Sequence, residues 1–232
     1  MVKMAVIIIL LIFVVLTVIS CLMAAYVAKP RYTSLEKAKK IAEDANFWRD
    51  YDKMEKEELE IESYDGYRLK AFYVPAPVRS DRYVIISHGY TYNRYGSLRY
   101  LHMFRSFGYN CLIYDDRGHG DNLRTKCTMG VRESKDLLRV IDWVYDRFGE
   151  NIILGLHGES MGSGLQIMAL KEKPKVKFVI NDCGYADLMG VLTHNIRGAL
   201  HMPKFFCYLA SAACRVVFGN SFTVLRRIDS LQ

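Results

Sequence analysis

The stretch of sequence that decides the fold is NIILGLHGESMG, residues 151–162. The apolar run Asn151–Leu156 predicts a strand, and the pattern from Ser160 to Lys171 predicts a helix directly after it. Between them lies Gly-Glu-Ser-Met-Gly, residues 158–162. On a sharp strand-to-helix turn, such a pattern exposes a serine hydroxyl at the carboxyl edge of a sheet. We therefore predict that Ser160 is a catalytic nucleophile.

The neighbours of Ser160 fit this turn. Gly158 and Gly162 avoid the steric clash that a strained serine backbone would otherwise meet. The backbone N–H of Met161 would lie at a helix N-terminus, where partial positive charge gathers. Glu159 stands beside the serine, and we expect its side chain to point away from the hydroxyl.

On both sides of this turn, short apolar runs alternate with helical patterns, which is typical of a parallel sheet covered on both faces. The runs are Tyr83–Ser87, Cys111–Tyr114, Asn151–Leu156 and Lys177–Asn181, and the helical segments are Ser97–Phe107, Glu133–Phe148 and Ser160–Lys171. Before them, Glu57–Tyr64 and Tyr67–Val74 are joined by Asp65-Gly66, a strong hairpin signal. The predicted fold class is α/β, with an antiparallel N-terminal hairpin that feeds a mostly parallel, doubly wound sheet.

The N-terminus carries a long apolar segment. Residues 5–28 contain no charged side chain and are long enough to cross about 30 Å of hydrocarbon as a helix. We expect an uncleaved, single-pass anchor in a membrane, because no small-x-small cleavage site follows a short apolar core. Lipidation of Cys21 is a second reading. The side of the membrane stays open, because basic residues follow the segment while a signal-anchor would place the catalytic part on the opposite side.

The predicted domain boundaries follow from these segments. Residues 1–29 form the anchor, and residues 30–54 form a helical linker whose helix starts at a capping box, Thr33–Glu36, and ends near Asn46. Residues 55–232 form the sheet domain. Within this domain, residues 185–228 have apolar and basic sequence patterns that predict helices, including one over Phe205–Phe218. This region is expected to be a lid over a substrate pocket, a membrane-surface element or a pair of helices that cover the sheet.

The composition of the chain indicates which classes of partner and cofactor are not expected. The formal charge is +7, and the basic residues flank the apolar segment or lie scattered, so nucleic acid is not expected. No Cys or His spacing matches a metal site, so neither a metal nor an organic cofactor is expected. Two loop cysteines, Cys127 and Cys183, leave one disulfide pairing open.

Three motifs at the ends of successive strands now resemble a known family. They are Ser87-His88-Gly89-Tyr90, Tyr114-Asp115-Asp116-Arg117-Gly118-His119-Gly120 and Gly158-Glu159-Ser160-Met161-Gly162. Together they resemble the α/β-hydrolase superfamily, most closely bacterial serine hydrolases related to the serine aminopeptidase and acylglycerol lipase group. The resemblance implies that His88 and Gly89 shape an oxyanion loop and that the N–H groups of Tyr90 and Met161 are the oxyanion donors. It also implies that Asp116, Arg117, Gly118, His119 and Gly120 form a structural turn.

The sequence departs from the family pattern in its acid and base. The resemblance implies an acid after a seventh strand and a histidine after an eighth, yet no histidine follows His201. We expect the sequence to be a fragment that lacks these last strands. An unusual pair, Asp182 as acid and His194 as base, stays as the alternative. Asp187 follows Asp182 shortly and His201 follows His194, so the chain order of acid before base would fit. A serine without a base is a poor nucleophile.

The expected function is therefore hydrolysis of a carboxylic ester, thioester or small amide, with a small acyl or ester substrate. The alternative is a non-catalytic, membrane-tethered scaffold that uses the same fold to bind a partner.

Overall fold

One mixed sheet organises the computed structural model, which describes residues 2–185, 187–219 and 221–223, without the side chains of residues 199 and 200. Within these residues the sheet has six strands. The strands are β1 (Glu57–Glu62), β2 (Arg68–Val74), β3 (Arg82–Ser87), β4 (Asn110–Tyr114), β5 (Ile153–Glu159) and β6 (Phe178–Asp182).

The strands lie in the order β1-β2-β4-β3-β5-β6. β2 pairs antiparallel with both β1 and β4, whereas β4, β3, β5 and β6 run parallel. Ser87 is in register with Gly158, and Glu159 is in register with Asp182, so the carboxyl ends of β3, β5 and β6 meet at one edge. The predicted class, an antiparallel hairpin feeding a parallel sheet, is confirmed.

Helices and short connections link the strands. The helices are α1 (Val2–Ala28), α2 (Leu35–Asp44), α3 (Trp48–Asp52), α4 (Leu98–Ser106), α5 (Glu133–Phe148), α6 (Met161–Ala169), α7 (Leu188–Leu200) and α8 (Phe205–Phe218). The chain forms two compact units. Residues 31–185 make up the sheet unit, and the segment up to Pro30 joins the described residues from Asp187 onward in a helical unit.

Apolar side chains pack on both faces of the sheet because neighbouring residues of a strand point to opposite faces. On one face, Ile85 and Leu112 pack with Leu137 of α5 and Leu165 of α6. On the other face lies a cluster that includes Val84, Ile86, Ile113, Leu98, Leu101 and Tyr51. All these residues are buried. Helices on both faces therefore cover the parallel strands.

Local differences from the predicted elements have local causes. The cap of α2 is Ser34, whose side chain accepts from the Lys37 N–H at 3.2 Å, so the capping box predicted from Thr33 lies one residue too early. β5 continues past Leu156 to Glu159, because its pairing with β3 and β6 continues that far. The short helix α3 was not predicted.

The helical unit contains the long apolar segment. Its helix α1 is the one described helix long and apolar enough to cross a membrane, judged by length and composition. α1 and α8 pack against each other. Small side chains dominate the buried positions of this pair, which are Ser20, Ala24, Val27 and Ala28 on α1 and Cys207, Ala210, Ser211 and Cys214 on α8. Small residues let two helix backbones approach closely.

Candidate active site

Ser160 lies on a strained turn between β5 and α6. Its backbone has φ 53° and ψ −108°, far from the regions that a non-glycine residue usually adopts. The Ser160 N–H donates to the carbonyl oxygen of Asp182 at 2.8 Å, which ties the turn to the end of β6. Although Ser160 is the N-cap of α6, its hydroxyl makes no capping hydrogen bond. The strain thus holds a half-buried serine hydroxyl at the sheet edge without using it to cap the helix.

The glycines on either side of Ser160 are required by close packing. A Cβ on Gly158 would overlap the backbone of Gly162, and a Cβ on Gly162 would overlap the carbonyl group of Ser87. The start of α6 therefore packs directly against the ends of β5 and β3. Gly89 also lies against the serine, since a Cβ added there would be 3.7 Å from the Ser160 Cβ.

The loop after β3 is oriented by a buried histidine. The Nε2 atom of His88 accepts from the Asp116 N–H at 3.0 Å, so the proton is on Nδ1, which donates to the Gly89 carbonyl oxygen at 2.8 Å. Burial lowers the pKa of His88, which keeps the ring neutral. Because the peptide is trans, the Tyr90 N–H points away from the side on which His88 holds the Gly89 oxygen. Tyr90, Gly89 and Ser160 all line one cleft.

Met161 is the first residue of α6, so its N–H lies at the helix N-terminus beside Ser160. Its side chain is buried, and its sulfur lies 3.6 Å from the Cys127 Sγ. Cys127 is buried and Cys183 is exposed, and both are free thiols. The disulfide left open between them is therefore wrong, because Cys127 packs into the core behind the serine.

The turn after β4 is buried and held together by charge. Arg117 is fully buried and donates to Asp136 at 2.6 Å and to Asp65 at 3.0 and 3.1 Å. Burial raises the pKa of Asp116 well above its usual range and lowers that of His119 to about 3, so burial disfavours the charged form of both groups.

The glycines of this turn have positive φ. Gly118 has φ 79°, and a Cβ there would lie 2.7 Å from the Thr125 carbonyl oxygen. Gly120 has φ 51°, and a Cβ would overlap the carboxylate of Asp115. None of the residues from 116 to 120 lines the cleft beside Ser160. The geometry thus places this turn behind the site rather than in it.

The cleft beside Ser160 has a volume of about 420 Å³. That size falls in the range of small-molecule sites. One side is apolar and aromatic, and the other is polar. Its lining residues are Ile41, Ala42, Ala45, Phe47, Gly89, Tyr90, Tyr92, Tyr95, Gly96, Arg99, Glu159 and Ser160. No histidine is among these described lining residues.

The polar side of the cleft is an ion pair with a neighbouring acid. Arg99 lies 2.8 Å from Glu159 and 3.8 Å from Asp182. Glu159 therefore turns toward Arg99 of α4. Burial raises the pKa of Glu159, while the hydrogen bond from the Tyr100 hydroxyl lowers the pKa of Asp182.

The suggested acid and base lie in different units. The Asp182 carboxylate accepts from the Tyr100 hydroxyl and from the Cys183 thiol at 3.1 Å, and it lies near Arg99. His194 lies on α7, which belongs to the helical unit. Their pairing as acid and base stays a prediction. In the part of the chain that the structure describes, no group of three His, Cys, Asp or Glu side chains is arranged to hold a metal ion.

Sequence reasoning missed eight of the described lining residues. Four of them, Tyr92, Tyr95, Gly96 and Arg99, follow β3, and the other four, Ile41, Ala42, Ala45 and Phe47, belong to the segment predicted as a linker. This segment packs in the sheet unit. A signal was present, because Ile41 interrupts a charged helix and Phe47-Trp48 follows it. Nothing local says that these side chains meet the loop after β3.

Comparison with known proteins agrees with this geometry. Residues 79–182 match the family model described as serine aminopeptidase, S33. The chain is 33% identical over 156 residues to the uncharacterized protein YqkD of Bacillus subtilis (strain 168), which covers 66% of this chain and 51% of that protein. It is 31% identical over 96 residues to the lysophosphatidylserine lipase ABHD12 of Macaca fascicularis, covering 40% of this chain and 23% of the lipase. The chain thus spans about half the length of the first relative and less of the second.

Solved structures share the fold. The esterase Pf2001 of Pyrococcus furiosus superposes with a TM-score of 0.61 at 23% identity, covering 79% of this chain and 77% of that chain. The α/β hydrolase GrgF of Penicillium sp. sh18 gives a TM-score of 0.53 at 19% identity, covering 72% of this chain and 57% of that chain. The strand order, the three motif turns and these superpositions lead to one conclusion: the chain has the α/β-hydrolase fold, and its residues 79–182 resemble the serine aminopeptidase family.

Proposed function

We propose that the protein containing this chain is a membrane-anchored serine hydrolase that cleaves a carboxylic ester through an acyl-enzyme on Ser160. The observation that carries the proposal is the Ser160 turn. A serine backbone at φ 53° is energetically costly and persists only where its surroundings enforce it, and here the serine lines a cleft. The relatives named as esterase and lipase support ester substrates over thioesters or small amides.

The proposed reaction starts with attack of the Ser160 hydroxyl on the ester carbonyl, as its proton passes to a base. The oxyanion that forms would accept from the N–H groups of Met161 and Tyr90. Such donors stabilise charge that appears only in the transition state, and losing one costs about 2.7–4 kcal/mol in other enzymes. Collapse expels the alcohol and leaves an acyl-enzyme, which water then hydrolyses to release the acid and restore the serine.

The base is the open part of the proposal. A base must come within about 2.6–3.2 Å of the serine hydroxyl, directly or through a water. Three described histidines of the sheet unit, His88, His119 and His157, are buried. The fourth, His102, donates to the carbonyl oxygen of Phe47 at 2.7 Å. His194 and His201, both in the helical unit, are therefore the described histidines that can be tested for this role.

Membrane anchoring through residues 5–28 is the second part of the proposal. Large apolar side chains along the first turns of α1, such as Ile9 and Phe13, are more than half exposed, which water would not favour. The last turns of α1 pack against α8. That packing supports a retained anchor over a cleaved signal peptide, because a cleaved peptide has no lasting partner in the mature protein.

Ester hydrolysis by the full-length protein in detergent tests the proposal. We expect turnover of p-nitrophenyl esters in the wild-type protein and a loss of at least about a thousandfold in Ser160→Ala. The matched control is Ser106→Ala, since the Ser106 hydroxyl caps the end of α4 by donating to the Met103 carbonyl oxygen. Equal turnover in wild type and Ser160→Ala would overturn the proposal. A folded wild-type protein without turnover would favour the scaffold reading.

A further inference from the structure

We infer that residues 31–47, the segment between α1 and the sheet, form a wall of the active-site cleft that selects esters with an apolar chain. This inference rests on the proposed function and adds a substrate class to it. The family match begins at residue 79, so it does not include this segment.

Several residues of this segment lie at the cleft. Ile41, Ala45 and Phe47 line the same cleft as Ser160. They stand together with Tyr92 and Tyr95 of the loop after β3, so this side of the cleft offers aliphatic and aromatic surface. Arg99 and Glu159 supply the polar side. A mostly apolar cleft with a few polar groups is suited to a ligand that has an apolar body and one polar function.

The wall is tied to the loop that carries Tyr90. The Thr33 N–H donates to the carbonyl oxygen of Thr91 at 2.8 Å, and the buried Asn93 side chain donates back to the Thr33 carbonyl oxygen at 3.0 Å. Thr91 has φ 66°, a conformation that a threonine seldom adopts. The N-terminal end of this segment is therefore fixed against the loop that carries Tyr90, the proposed oxyanion donor.

The far end of the wall is fixed by aromatic packing. The Phe47 ring stacks on His102, whose Nε2 donates to the Phe47 carbonyl oxygen at 2.7 Å. Trp48 packs edge-on against Tyr95 with ring centroids 4.9 Å apart. Tyr51 is buried in the core cluster of the sheet. With both ends held, α2 presents a preformed surface to the cleft.

The exposed side chain of Ile41 indicates which kind of ligand the α2 surface would bind. α2 buries Ala38 and Ala42, yet Ile41 is 43% exposed where it faces the cleft. Covering such an aliphatic side chain with an apolar chain is favourable by about 0.8 kcal/mol per buried CH₂. A charged or strongly hydrated chain would gain nothing from this contact. The wall therefore favours longer apolar chains over acetyl groups.

The test compares chain-length selectivity in full-length protein in detergent. Two series are used: p-nitrophenyl esters from acetyl to dodecanoyl, which vary the acyl chain, and alkyl acetates from methyl to octyl, which vary the alcohol. Ile41→Asp places a carboxylate on the wall without touching Ser160. The control is Met103→Asp, because Met103 is also a helical surface residue with similar exposure, 40%, and lies outside the cleft.

We expect Ile41→Asp to lower kcat/KM about tenfold for long-chain members of at least one series, which corresponds to the loss of roughly two CH₂ contacts. Acetyl and methyl members should change less than about twofold, as should every substrate in Met103→Asp. The series that responds identifies the side of the ester that the wall holds.

Two results would overturn the inference, and they are distinguishable. If the wild type turns over esters and Ile41→Asp keeps the wild-type chain-length profile in both series, the wall does not select, although the proposed function stands. If the wild type turns over no ester and a fluorophosphonate fails to label Ser160, the proposed function is wrong, and the inference falls with it.

Discussion

Two glycine-containing turns end strands at the same edge of the sheet, and they differ in what they expose. The turn after β4, residues 115–120, buries its arginine, aspartates and histidine completely. The turn after β5, residues 158–162, leaves Ser160 half-buried in a cleft, with its hydroxyl making no capping bond. Both turns carry residue types that enzymes use. The difference shows that exposure at the sheet edge, rather than residue type, separates the candidate catalytic group from the scaffold.

The buried turn nonetheless supports the exposed one. The Asp116 N–H donates to His88, and His88 in turn orients the Gly89 carbonyl next to Ser160. The turn after β4 thus fixes the loop after β3, which faces the serine. The comparison predicts that changes in the turn after β4 act on stability and that changes in the turn after β5 act on reactivity.

The largest expected effect comes from the buried arginine. Arg117→Leu leaves the fully buried Asp136 without its charge partner, which costs about 3–5 kcal/mol of unfolding free energy. Urea denaturation checks this by the fluorescence of Trp48 and Trp143, both in the sheet unit. The control is Arg139→Leu on α5, whose exposed pair with Asp142 should contribute less than about 1 kcal/mol. Equal losses of unfolding free energy in the two variants would contradict the claim that the buried ion pair of this turn contributes more to stability than an exposed one.

The next effect is at the serine turn. In Gly162→Ala, the added methyl would overlap the Ser87 carbonyl group and displace the start of α6. Because small displacements of reacting groups cost about a hundredfold in rate, labelling of Ser160 should slow by about that factor. Gly198→Ala on α7 is the matched helical control, since a Cβ there meets nothing within 4 Å. Labelling at the wild-type rate in Gly162→Ala would show that this packing does not position the serine.

The smallest expected effect near pH 6 is a pH dependence of the unfolding free energy. Burial lowers the pKa of His119 from 6.5 to about 3 in the folded protein. Below pH 6.5 the unfolded chain binds a proton that the folded protein does not, so this group makes folding less favourable as the pH falls from 6.5 toward 3, by about 1.4 kcal/mol per pH unit. His119→Gln removes this dependence.

The measured quantity is the difference in unfolding free energy between wild type and His119→Gln as a function of pH. It should shift in favour of the variant as the pH falls through 6.5, while activity near neutral pH stays similar. A difference that is constant with pH would mean that His119 takes up its proton as readily in the folded protein as in the unfolded chain, so that burial does not lower its pKa.

The sequence predicts the serine turn well because its causes are local. The apolar strand, the two glycines and the following helix all lie within residues 151–171, and steric exclusion at the turn needs no distant partner. The strand pattern is equally local, and each predicted run is a strand in the structure. The order of the strands in the sheet was not predicted, because it depends on which distant segments pair.

The cleft wall could not be predicted because it depends on distant packing. Ile41 stands in a charged helix, and nothing near it in sequence indicates that α2 lies beside residues 89–99. The five-residue helix α3 is too short for a periodic pattern, and the packing of Trp48 and Tyr51 holds it in place. The start of α7 had a local signal that was overlooked: Asp187 caps the helix by accepting from the Met189 N–H at 3.0 Å.

The most direct test of the central claim is fluorophosphonate labelling of the folded, full-length protein, followed by mass spectrometry of its peptides. The account predicts one adduct, on Ser160, that disappears in Ser160→Ala and persists in His119→Gln. Absence of an adduct on Ser160 in folded wild-type protein, or equal labelling in Ser160→Ala, would contradict the claim that this strained, half-buried serine is the nucleophile.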